Sequence, residues 1–80
     1  MIRYLVCGTY TDGKTAGKSF MIRKGGYLVD RFYKPFPDEC YSSRQAAQAV
    51  ASRLNRRNEE DTRIDKQITP CRYTVSEINY

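Results

Sequence analysis

Two adjacent glycines, Gly25 and Gly26, stand between two short segments that alternate apolar and polar residues. Glycine enters positive φ without a Cβ clash, so a Gly-Gly pair favours a tight reversal. A chain reversed there zips residues 18–24 against residues 27–34 as an antiparallel hairpin. With a two-residue loop, Ile22 falls opposite Val29, Met21 opposite Asp30 and Phe20 opposite Arg31. Phe20 and Ile22 then share one face, and Ser19, Met21 and Arg23 the other.

The flanking segments fix what this hairpin joins. Residues 2–10 read as a strand with apolar character on both faces: Ile2, Tyr4 and Val6 on one, Leu5, Cys7 and Thr9 on the other. A strand apolar on both sides predicts a central position. Residues 11–17, TDGKTAG, carry turn chemistry. Residues 35–40, PFPDEC, contain two prolines, which lack ladder donors and so make a connector with fixed φ. Ser42-Ser43-Arg44-Gln45 fits a capping box. The helix that follows carries Ala47, Val50, Ala51 and Leu54 at i, i+3, i+4 and i+7. It is predicted over residues 42–55. Asn58-Glu59-Glu60-Asp61 reads as exposed polar chain, and residues 62–70 as a loop or a short strand near Arg63-Ile64. Residues 72–79 alternate again as a last strand. The order is β-β-β-α-β, an α+β domain over residues 1–80 with a mostly antiparallel sheet and one helix across a face.

That layout bounds the chemistry. With 80 residues there is room for one sheet and one helix layer, and none for a second, cofactor-binding domain. No histidine is present, so the commonest base near neutral pH and any Cys–His pair are missing. Asp38-Glu39 and Glu59-Glu60-Asp61 fall in predicted loops that fix no carboxylate separation. Gly17-Lys18-Ser19 opens a strand rather than a helix, which is the wrong geometry for a phosphate loop. The expectation is a protein that is not an enzyme and holds no cofactor. The three cysteines, Cys7, Cys40 and Cys71, are widely spaced, and no zinc site follows from that spacing. An odd count without a leader segment predicts free thiols in a reducing, cytoplasmic setting. A Cys7–Cys71 bridge stays open if the terminal strands are neighbours. No apolar run approaches membrane length.

Partners remain. A net charge of +5 suits an acidic protein surface or nucleic acid. Basic residues interleave with tyrosine: Arg3 with Tyr4, Arg23 with Tyr27, Arg31 with Tyr33, Arg72 with Tyr73. A sheet showing such rings and guanidiniums could stack bases, while the same pairs are ordinary cross-strand stabilisation. On the predicted helix Arg53, Arg56 and Arg57 fall in the last turn, where cations complement the helix dipole. The acids that follow cancel their field, so terminal decoration is favoured over a phosphate grip.

The runs GKSFMIRKGGYLVDRFY, YSSRQAAQAVASRLN and YTVSEI together resemble small phage and prophage accessory proteins. In those, a glycine-turn hairpin leads into a short helix and a last strand. The resemblance implies no active site and a role in binding and blocking host machinery, including CRISPR effectors and other nucleic-acid-handling complexes. The first part also resembles the three-strand-plus-helix DNA-binding domain of integrases, from which this chain departs by a strand after the helix. The expected function is docking on a macromolecular partner, a protein first. Tyr27, Arg31, Tyr33 and Phe36 are the leading contact residues, and Arg53 and Arg56 the second pair. These residue types dominate binding hot spots, and they flank a proline-fixed segment that loses little entropy on ordering. Direct DNA or RNA binding through the sheet is the alternative, and self-association through a strand edge a third.

Overall fold

The computed structural model describes Met1–Tyr80. Strands β1 (Ile2–Tyr10), β2 (Ser19–Arg23), β3 (Tyr27–Asp30) and β4 (Cys71–Asn79) form one antiparallel sheet in the order β3-β2-β1-β4. A short 3-10 turn at Pro37–Glu39 precedes the helix α1 (Arg44–Ile64). The sheet is thus built as an α+β fold, with β1 central as its two apolar faces require. The helix carries the chain from the β3 edge to the β4 edge, and it packs chiefly on β1 and β4. The β2–β3 hairpin is left without a cover of its own.

The helix-facing core is small and close. Ala47 and Ala51 are fully buried against Val6 and Ile22, with Tyr4, Phe20, Val50, Leu54, Tyr73 and Val75 packed around them. Alanine on the buried stripe lets the helix backbone sit near the sheet, and any larger side chain there would have to displace it. Gly8 serves the same purpose within the sheet. A Cβ there would meet the Phe20 ring at 2.6 Å and the Tyr73 ring at 3.0 Å. Without it, the rings of Phe20 and Tyr73, Gly8's two cross-strand neighbours, meet edge-on at 6.1 Å.

Leu5 points away from the helix, yet it is 0 % exposed. The connector after β3 closes this second face. Pro35 and Cys40 are buried there. The Tyr80 hydroxyl donates to the Pro35 carbonyl at 2.6 Å and lies 3.4 Å from the Cys40 sulfur. Tyr41 then pairs with Tyr4 beside the first half of β1, where β2 has already turned away. The hydrophobic effect therefore holds this sheet from both sides, by a helix on one and an irregular strap on the other.

Four expectations are corrected. The hairpin loop has three residues, not two: Arg23 pairs with Tyr27 and Ile22 with Leu28. Both Gly25 (φ +95) and Gly26 (φ +86) occupy positive φ within it. One extra loop residue moves the register by one and turns Leu28, not Val29, to the helix side. Second, β3 stops at Asp30 rather than running to residue 34. Asp30 turns the chain by accepting the Phe32 N–H on its side chain at 2.8 Å and the Tyr33 N–H on its carbonyl at 2.9 Å. Third, the helix begins at the Ser43 cap, whose hydroxyl accepts the Ala46 N–H at 3.1 Å, and runs to Ile64. Residues 58–64 are helical, and Arg53, Arg56 and Arg57 sit in its interior. Only Arg63 is in the last turn, so decoration of a helix end does not explain the three arginines. Fourth, the terminal strands are neighbours, but Cys7 lies opposite Thr74 and Cys71 opposite Tyr10. That register puts the two sulfurs on opposite faces, and all three cysteines are free.

Candidate functional site

Three features of the surface stand out, each built by a local accident of sequence. The first is a knot on the strap. The Glu39 carboxylate accepts the Tyr33 hydroxyl at 2.9 Å and the Phe36 N–H at 2.9 Å, and it pairs with the Arg23 guanidinium. The Lys24 N–H donates to the Glu39 carbonyl at 2.8 Å. Arg23 in turn lies over the Tyr27 ring, 4.9 Å from its centre. One carboxylate thus ties hairpin to strap and links Tyr27, Tyr33 and Phe36 into one surface. Phe36, 71 % exposed, projects from this knot beside Pro37, whose ring fixes the backbone. Phe32 is 74 % exposed, and Arg31 stacks on it at 4.6 Å.

The second feature is an apolar groove. Because α1 covers β1 and β4, the space between helix and hairpin stays open. Ile22, Leu28, Tyr41, Val50, Leu54 and Tyr73 line it, with Gly25, Gly26 and Arg53 at its margin. It encloses about 340 Å³. Leu28 is 66 % exposed at its outer side.

The third is a difference between the sheet's edges. Ladder bonds alternate along each strand, so every second residue of an edge strand directs its N–H and C=O outward. On β4 these residues include Cys71 and Tyr73. The Asn55 amide donates to the Tyr73 carbonyl at 2.9 Å, and its oxygen accepts the Tyr73 N–H at 2.7 Å. Asn58 accepts the Cys71 N–H at 3.0 Å. Asparagines three apart on one helix face therefore occupy this stretch of edge. On β3 the outward residue is Leu28, since Tyr27 and Val29 bond to β2. No side chain caps it.

Electrostatics follow burial. Desolvation beneath the helix, with Cys71 beside it, pushes the Tyr73 hydroxyl up to about 12. Burial also raises the Cys71 thiol, which disfavours the reactive thiolate. Tyr80 is pushed up to about 12, first by desolvation and then by its hydrogen bond with Cys40. No cluster of three or more His, Cys, Asp or Glu side chains is arranged to hold a metal. No helix is long and apolar enough to cross a membrane.

Of the residues singled out in the sequence, Tyr27, Tyr33 and Phe36 share the strap surface. Arg31 adjoins it through Phe32. Arg53 lies on the other side of the hairpin, at the groove. Arg56 is farther along the helix among Arg57, Glu60 and Asp61, where the Arg57–Asp61 pair at 3.8 Å offsets part of the charge. Of the interleaved pairs, Arg3–Tyr4 and Arg72–Tyr73 separate to opposite faces on folding, while Arg23 stays with Tyr27. Tyr4, Tyr10 and Tyr73 turn to the helix side, and Arg3, Arg23 and Arg72 to the other. Sequence reading missed Phe32, Leu28, Glu39 and the two asparagines. Phe32 was legible in principle, as an aromatic directly after an Asp that can turn the chain. A scan against protein-family models, a search of curated proteins and a search of solved structures each returned no match.

Proposed function

We propose that this chain is a non-enzymatic binding protein that docks on a protein partner, in the manner of phage accessory proteins that block host nucleic-acid-handling machinery. The observation that carries this reading is the group of exposed rings, Tyr27 on β3 and Phe32, Tyr33 and Phe36 on the strap that Glu39 ties to the hairpin. Large aromatics left in water cost free energy in the isolated chain, and burying them against a partner recovers it. Their rigid mounting reduces the entropy lost on docking. Arg31, stacked on Phe32, adds a cation suited to an acidic surface. The +5 net charge points the same way.

A protein fits this surface better than a nucleic acid does. Base stacking on the sheet needs rings and cations on one accessible face. Here Tyr4, Tyr10 and Tyr73 lie towards the helix, away from Arg3, Arg23 and Arg72 on the sheet's other face. Affinity capture from a bacterial lysate, with and without nuclease, tests the proposal. A protein retained after nuclease treatment, and lost when Phe32 and Phe36 are both changed to Ala, is the expected result. Retention of nucleic acid alone, with affinity falling steeply as salt rises, would overturn it in favour of direct DNA or RNA binding.

A further inference from the structure

We infer that the β3 edge and the adjoining groove form a strand-docking site for an extended acidic segment of a partner protein, with one large apolar residue seated over Leu28. This rests on the protein-binding reading above and specifies how part of the partner is held. The contrast between the edges carries it. On β4, Asn55 and Asn58 occupy outward main-chain groups of Tyr73 and Cys71. On β3, both outward groups of Leu28 are unpartnered, and the Asp30 N–H beside them points the same way. The bare β3 edge beside an apolar groove presents a template for strand addition, which the asparagine-capped stretch of β4 does not.

The groove gives that template a selective face. A residue paired with Leu28 on an added strand directs its side chain to the same side as Leu28, the side on which Val50 and Leu54 line the groove. The about 340 Å³ there takes a leucine-sized group. Charge selects the flanks. Arg53 borders the groove, Lys24 lies in the hairpin loop and Arg31 follows β3, with Asp30 the one acid on this strand. Acidic residues on either side of the apolar anchor are therefore favoured. A second copy of this chain is disfavoured as occupant, because each copy brings a +5 charge to the contact.

The test uses the peptide Thr-Glu-Val-Leu-Val-Glu-Thr, titrated into the isotope-labelled full chain and followed by NMR. Saturable shifts are expected at the Leu28 and Asp30 amides and the Val50 and Leu54 methyls, with a sub-millimolar Kd. Replacing both glutamates by lysine is expected to weaken binding about tenfold. Leu28→Pro removes an N–H that serves no ladder bond, so the fold tolerates it while strand addition is blocked; binding is expected to be lost. If L28P does not fold, Leu28→Glu serves instead, setting a carboxylate against the acidic peptide with the same expected loss. Absence of saturable shifts, shifts confined to β4, or unchanged binding by the folded Leu28 variant would overturn the inference. So would a concentration-dependent dimer that the variant dissolves, which would assign the edge to a second copy. The broader reading fails separately: it falls only if capture of a protein does not depend on Phe32 and Phe36.

Discussion

The two edges of this sheet, a nine-residue strand and a four-residue one, are treated in different ways. Along β4, helix α1 passes close by and hands the strand two asparagine side chains; along β3, no element passes at all. The difference arises from where the alanines lie. Ala47 and Ala51 bring the first half of the helix down on β1, and from there its axis continues over β4, so that Asn55 and Asn58 come within reach of the edge. The buried stripe does not stop at Leu54. It changes from apolar packing to hydrogen bonding, and the helix persists because that polar stripe still has partners. A helix placed off-centre on this small sheet protects a stretch of one edge and leaves the other edge bare.

The sharpest test of that asymmetry uses one substitution at two sites. Leu5→Ala, in fully buried surroundings, is expected to cost about 2–5 kcal/mol, enough to unfold much of so small a domain. Leu28→Ala, on the exposed edge, is expected to stay within about 0.5 kcal/mol. Urea melts of the two variants read the difference directly. Equal losses would mean that the hairpin is not the uncovered half.

Next in size is the mask on β4. Asn55→Ala leaves a half-buried N–H and C=O of Tyr73 without partners, at an expected cost of about 1–3 kcal/mol. It also bares a stretch of edge, so the variant is expected to associate at concentrations where the parent stays in its original state. Sedimentation velocity on both proteins checks this. A stable, unassociated N55A would show that the asparagines are ornament.

Much of this architecture was legible in the residues. The Gly25-Gly26 pair announced the hairpin, the alternation in residues 2–10 announced a central strand, and the alanine stripe announced close helix packing. Apart from the hairpin register, the failures have one physical root: each turned on a polar side chain that bonds to backbone. Asp30 ends β3 early through its own turn. Lys24 joins the loop and shifts the register, so Leu28 changed faces. Asn55 and Asn58 extend the helix past its last apolar residue. Periodicity reports where apolar side chains go and is silent on such bonds. The candidate surface was half legible for the same reason. Tyr27, Tyr33 and Phe36 were found by type, but Glu39, which gathers them, reads in sequence as one more loop acid. Tyr33 is consequently both a contact and a tether, and its loss would loosen the strap as well as remove a ring.

A smaller effect marks the covered half by pH. The Tyr73 phenol is raised from 10.0 to about 12 beneath the helix. Its contribution to stability is fully present below the unfolded value near 10.0 and is lost as pH rises from there through about 12, because the unfolded phenol ionises first. Ultraviolet titration of the seven tyrosines is expected to show Tyr73 among the last to ionise. Replacing Tyr73 by Phe should remove a late-titrating component.

Asparagines close the Cys71–Tyr73 stretch of one sheet edge, while the β3 edge is open. Residue-resolved amide hydrogen exchange on the native protein measures this contrast most directly. The account predicts that the Tyr73 and Cys71 amides, although they point outward from an edge strand, are protected like interior ladder amides, while the Leu28 amide exchanges close to the rate of an unstructured chain. Protection at Leu28, or fast exchange at Tyr73 and Cys71, would contradict it.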